Sequence, residues 1–104
     1  MANPWAGEVA LTLDGERRVA KLTLGALAEL EAELGADSLV ALVERFESGR
    51  FGTRDMVAVV AAGLHGGGWA GTSADLLGAE ISGGPLEVAR VAGALLARAF
   101  AVPG

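Results

Sequence analysis

The sequence predicts an α+β domain: an N-terminal β-hairpin packed on a mainly helical body of four to five short helices. Two observations carry this. Glu8 to Leu24 reads EVALTLDGERRVAKLTL, two extended runs about an Asp-Gly pair, and the chain beyond it places apolar residues at helical spacing between glycine-marked breaks. A third observation sets the domain count. At 104 residues, with no internal repeat and no low-complexity linker, residues 1–104 form one domain around one core.

The hairpin comes first. Asp-Gly favours a type I′ turn, because both residues tolerate the positive φ that this turn demands. A two-residue loop at Asp14-Gly15 places Leu13 opposite Glu16, Leu11 opposite Arg18, Val9 opposite Ala20 and Glu8 opposite Lys21. One face then carries Val9, Leu11, Leu13, Ala20 and Leu22. A lone hairpin is marginal in water, so this face must lie on helices.

The helices come next, in chain order. Leu24, Leu27, Leu30 and Leu34 form a stripe that Gly35 closes as a C′ residue. Asp37 or Ser38 caps a second helix with Leu39, Leu42, Val43 and Phe46 on one side and Gly49 at its end. Thr53 is the expected cap of a third, with Asp55 in its first turn. That helix, MVAVVAAGL, is apolar all round and is therefore expected at the centre. Thr72 or Ser73 starts a short fourth helix bearing Leu76, Leu77 and Ile81. Pro85 suits the first turn of a fifth, which runs through Val88, Val91, Ala92, Leu95 and Ala99 to about Phe100. Leu27, Leu30, Leu42, Phe46, Val59, Val60 and Leu95 are the expected core.

Composition restricts the function. Thirteen acids against eight bases give a net charge of −5, the wrong sign for gripping nucleic acid or an anionic membrane. There is no cysteine, hence no disulfide, thiolate metal site or Cys nucleophile. MANPWAGE lacks the basic stretch and apolar run of a secretory signal. The uncharged stretch from Met56 to Ala74 is too broken by glycine to span a bilayer. A soluble, cytoplasmic chain is expected. Hydrophobic residues make up 52%, a large share for a small domain to hide, so a partner surface is expected as well.

HGGGW, residues 65–69, matches the oxyanion-hole loop of lipase-like hydrolases. That loop follows a strand and serves a G-x-S-x-G nucleophile, whereas this one follows a helix, and Ser38, Ser48, Ser73 and Ser82 all fail the pattern. It reads as a helix end. Gly66, Gly68 and Gly71 also spell G-x-G-x-x-G, but without the preceding strand of a dinucleotide fingerprint, and Thr72 stands where a Walker A lysine would. Glu29, Glu31 and Glu33 read as a solvated face, and Arg17, Arg18 and Lys21 are too few for an anion groove. His65, the lone histidine, reads as a cation near a helix C-terminus. No catalytic residue, metal or cofactor is assigned. A small hydrolase centred on His65 is the enzymatic alternative.

The candidate partner-binding residues are Trp69, Leu76, Leu77 and Ile81. They lie on a short, glycine-bounded segment with weak intrinsic order, and such apolar anchors with a tryptophan suit a helix-in-groove contact. The competing assignment is that they close the bottom of the core.

In that order from Gly7 to Trp69, the stretches GEVALTLDG, LTLGALAELEAELG, LVERFESGRF and VAAGLHGGGW resemble the small gene transfer agent family proteins of alphaproteobacteria, which are related to phage tail assembly chaperones. No motif beyond Trp69 adds to it. The resemblance implies a non-enzymatic tail assembly chaperone that binds the tape measure protein and assists tail-tube subunits. A structural component of the tail is the alternative, and a homo-oligomer is a further candidate assembly.

Overall fold

The computed structural model describes residues 7–34 and 39–100. Among them are two strands, β1 (Val9–Leu13) and β2 (Glu16–Ala20), and five helices. These are α1 (Leu24–Leu34), α2 (Leu39–Ser48), α3 (Thr53–Gly66), α4 (Ser73–Gly78) and α5 (Gly84–Ala99). The architecture is α+β, a hairpin on a helical body. The expected caps Gly35, Asp37 and Ser38 lie outside the described residues.

The hairpin has the anticipated register, with Val9 opposite Ala20, Leu11 opposite Arg18 and Leu13 opposite Glu16. Asp14 at φ 51° and Gly15 at φ 79° supply the two positive angles of a type I′ turn. Val9, Leu11, Leu13, Ala20 and Leu22 are all buried. Glu8 and Lys21 are not part of the ladder. The Lys21 amide instead donates to the Gly63 carbonyl at 2.8 Å, and Arg98 of α5 hydrogen-bonds the Glu8 carbonyl. Both strand ends are thus tied to helices.

Helix α3 is central, packing against α1, α5, β2 and α4. Its residues from Ala58 to Leu64 are buried without a break, which is why its sequence shows no polar face. Leu30, Leu42, Val59, Val60 and Leu95 lie in the core as expected. Leu27 and Phe46 are half-buried against it, a correction to their assignment as full core. Leu24 departs further. It is the first residue of α1, behind a Thr23 cap whose hydroxyl accepts the Ala26 amide at 3.1 Å, and its side chain is exposed.

Two other boundaries bear on function. The cap of α3 is Gly52, not Thr53, because Asp55 reaches back to accept the Gly52 amide at 3.0 Å and also pairs with Arg45 of α2 at 3.1 Å. Thr72 caps α4 as expected. Its hydroxyl accepts the Asp75 amide, and the Asp75 carboxylate accepts the Thr72 amide. Among the described residues no helix is long and apolar enough to cross a membrane.

Candidate functional site

The HGGGW stretch is built by the end of α3. The Gly68 amide donates to the His65 carbonyl and the Trp69 amide to the Leu64 carbonyl, with Gly68 left-handed at φ 99°. That is a Schellman ending, which satisfies the last carbonyls of the helix. The Gly67, Gly68 and Trp69 amides, the donors an oxyanion hole would use, are therefore engaged by helix carbonyls. Gly66 and Gly67 have a separate reason. A Cβ on either would lie 2.0 Å from the Lys21 carbonyl oxygen or 1.9 Å from that of Val19. Only glycine lets α3 run so close beneath β2.

His65 faces back from this ending. Its Nδ1 lies 2.7 Å from Glu29 of α1, its Nε2 hydrogen-bonds the Gly71 carbonyl, and its ring stacks on Trp69 with centroids 5.7 Å apart. The Gly71 carbonyl, chiefly, and the Glu29 carboxylate raise its pKa above the ordinary 6.5, with burial opposing them.

The four candidate partner-binding residues separate. Leu76 and Leu77 are neighbours on α4, where successive side chains diverge by roughly 100°. Leu76 consequently enters the core at 3% exposure, while Leu77 projects outward at 68%. Ile81 is half-buried and bridges to Leu13 at the end of β1. Leu76, Leu77 and Ile81 come together in one groove of about 240 Å³, completed by Met56 and Val57 of α3 and by Pro85 and Val88 of α5. Among the described residues no charged side chain lines it. An uncharged groove of this kind can take apolar side chains. Leu86, one residue beyond Pro85, is exposed.

Trp69 is not in the groove. Its ring lies against His65, and Gly71 passes so near that a Cβ there would sit 2.1 Å from the indole. The groove residues that sequence reasoning missed include Pro85, which reads only as a helix start, and Met56, Val57 and Val88. The helical periodicity of the last three gave a core signal, and nothing in the sequence marked the place where α3 and α5 part to leave that core open.

A family model described as phage tail tube protein, GTA-gp10, matches residues 6–102. The chain belongs to this GTA-gp10 phage tail tube protein family. The match continues beyond Trp69, where the resemblance of the quoted stretches stopped, and includes α4, α5 and the groove. The GTA-gp10 description names a tail tube protein, whereas the resemblance put an assembly chaperone first. No curated protein and no solved structure matches the chain.

Proposed function

We propose that this protein is a non-enzymatic structural component of a phage-like gene transfer agent tail, joined to neighbouring tail-tube subunits through the groove between α3, α4 and α5. The family match over residues 6–102 is the observation that carries this reading. The groove supports it, because an uncharged recess bordered by the exposed Leu77 is the kind of surface that binds protein. Leu77 and Ile81 are its anchors, Leu76 forms its floor, and Trp69 fixes the turn that leads into α4. The excess of acidic over basic residues favours protein partners over nucleic acid or an anionic membrane. Before assembly the subunit is cytoplasmic.

The second reading is a tail assembly chaperone that binds the tape measure protein. The same groove favours it, since an uncharged recess can take the apolar stripe of one amphipathic helix. Quantitative mass spectrometry of purified particles separates the two. A structural subunit is retained in many copies per particle. A chaperone is absent from particles whose tails nevertheless fail to form when its gene is deleted.

A further inference from the structure

We propose that His65 is a protonation-dependent latch that fastens the turn between α3 and α4 to α1. The proposal is independent of the tail reading and rests on the geometry around one ring. Nδ1 meets both oxygens of Glu29, at 2.9 and 2.7 Å, and Nε2 meets the Gly71 carbonyl oxygen. Both partners are acceptors only. An imidazolium donates from both nitrogens and satisfies both. A neutral imidazole has one N–H, so whichever tautomer forms, a lone pair on the other nitrogen faces an oxygen lone pair. Losing the proton therefore breaks one of the two ties and makes it repulsive.

The surroundings favour the charged form. From α1 the facing group is the Glu29 carboxylate; from the turn they are the Gly71 carbonyl and the Trp69 indole face. Within α3 itself, His65 stands in the last turn, where the helix dipole stabilises a cation. Among the described residues Glu29 is the charged side chain that acts on the ring.

The latch steadies the entry to α4. Gly71 directly precedes Thr72, the cap of α4, and α4 is only six residues long. With the ring protonated, the chain entering α4 is tied through His65 to α1 and α3 together; without the proton one of the two ties is gone, and the connection from α1 through the ring to Gly71 is broken at one end. The folded-state pKa lies above 6.5, so the contribution is complete below 6.5 and is lost as pH rises through that higher value.

His65 is the lone histidine, so its ring can be followed by NMR without assignment ambiguity. The experiment titrates the ring in the wild-type protein and in Glu29→Gln. It also measures amide exchange of Asp75 and Leu76 in α4 against Leu95 in α5, corrected for intrinsic pH dependence. The ring should titrate above 6.5 and move downward in Glu29→Gln. Protection in α4 relative to α5 should fall roughly threefold across the titration, the scale of one partly exposed ion pair. In His65→Gln that pH-dependent loss should vanish. A ring titrating at or below 6.5, no shift in Glu29→Gln, or α4 protection unchanged across the wild-type titration would each overturn the latch. The Glu29→Gln titration keeps the test intact even if His65→Gln does not fold.

Discussion

Asp14 and Glu80 hold each other by a reciprocal pair of hydrogen bonds across 66 residues of chain. The Asp14 amide donates to the Glu80 carbonyl at 2.7 Å, and the Glu80 amide donates to the Asp14 carboxylate at 2.8 Å. Next to them Leu13 bridges Ile81, and the Ser82 amide donates to the Thr12 carbonyl. The hairpin turn is thus also the anchor of the segment that closes the groove. Asp14→Gly keeps the left-handed turn and removes only the carboxylate. It should lower stability by about 0.5–1.5 kcal/mol in urea unfolding, with faster exchange at the Glu80 amide. Asp14→Asn retains a side-chain acceptor and should lose less.

The glycines of the α3 ending should respond very differently from a glycine in open space. Gly67→Ala drives a methyl into the Val19 carbonyl and should cost about 1–3 kcal/mol or more, separating β2 from α3. Gly93→Ala, inside α5 with nothing within 4 Å of the new Cβ, should stabilise by about 0.4–1 kcal/mol. Thermal unfolding of the two variants side by side checks the pair. Equal effects would mean that α3 does not run so close to β2.

Asp55 sets an acid limit. Burial pushes its carboxyl up, but the Gly52 amide and the Arg45 guanidinium together outweigh burial and hold it below the usual 3.8. Its contribution is complete above 3.8 and is lost as pH falls through the lower folded-state value. Asp55→Asn should flatten the acid limb of stability against pH, measured by denaturant midpoints between about pH 2 and 5. A limb as steep as that of the wild type would assign it to other carboxylates.

Local features of this chain were legible, and contacts between distant segments were not. Asp14-Gly15 carries a turn type in two residues, and a turn type sets a register, so the hairpin could be written pair by pair. The unbroken apolar run of α3 likewise marks a helix surrounded on all sides. The Asp14–Glu80 and Glu29–His65 pairs leave no such mark, because hydrogen bonding between distant segments has no periodicity. The candidate site was half legible for the same reason. Apolar spacing put Leu76, Leu77 and Ile81 on one segment, but which of two adjacent leucines faces α3 depends on how α4 docks. Trp69 looked like an anchor, and its stacking on His65 depends on the Schellman ending that aims it.

Core truncation provides a calibration for the surface. Leu30→Ala and Leu76→Ala remove side chains at 0% and 3% exposure and should each cost about 2–5 kcal/mol. Leu77→Ala, at 68% exposure, should change stability by less than about 0.5 kcal/mol. Urea midpoints of the three variants check the order.

The most direct test of the central claim, that the groove joins this protein to the tail, is Leu77→Asp introduced in place of the wild-type gene. The variant puts a charge at the rim of the groove and leaves the buried Leu76 untouched. The measurement is the number of intact tailed particles by electron microscopy, with the melting temperature of the purified variant as the control for folding. An unchanged melting temperature and a loss of tails are expected. A folded variant that supports tails at the wild-type number would contradict the claim.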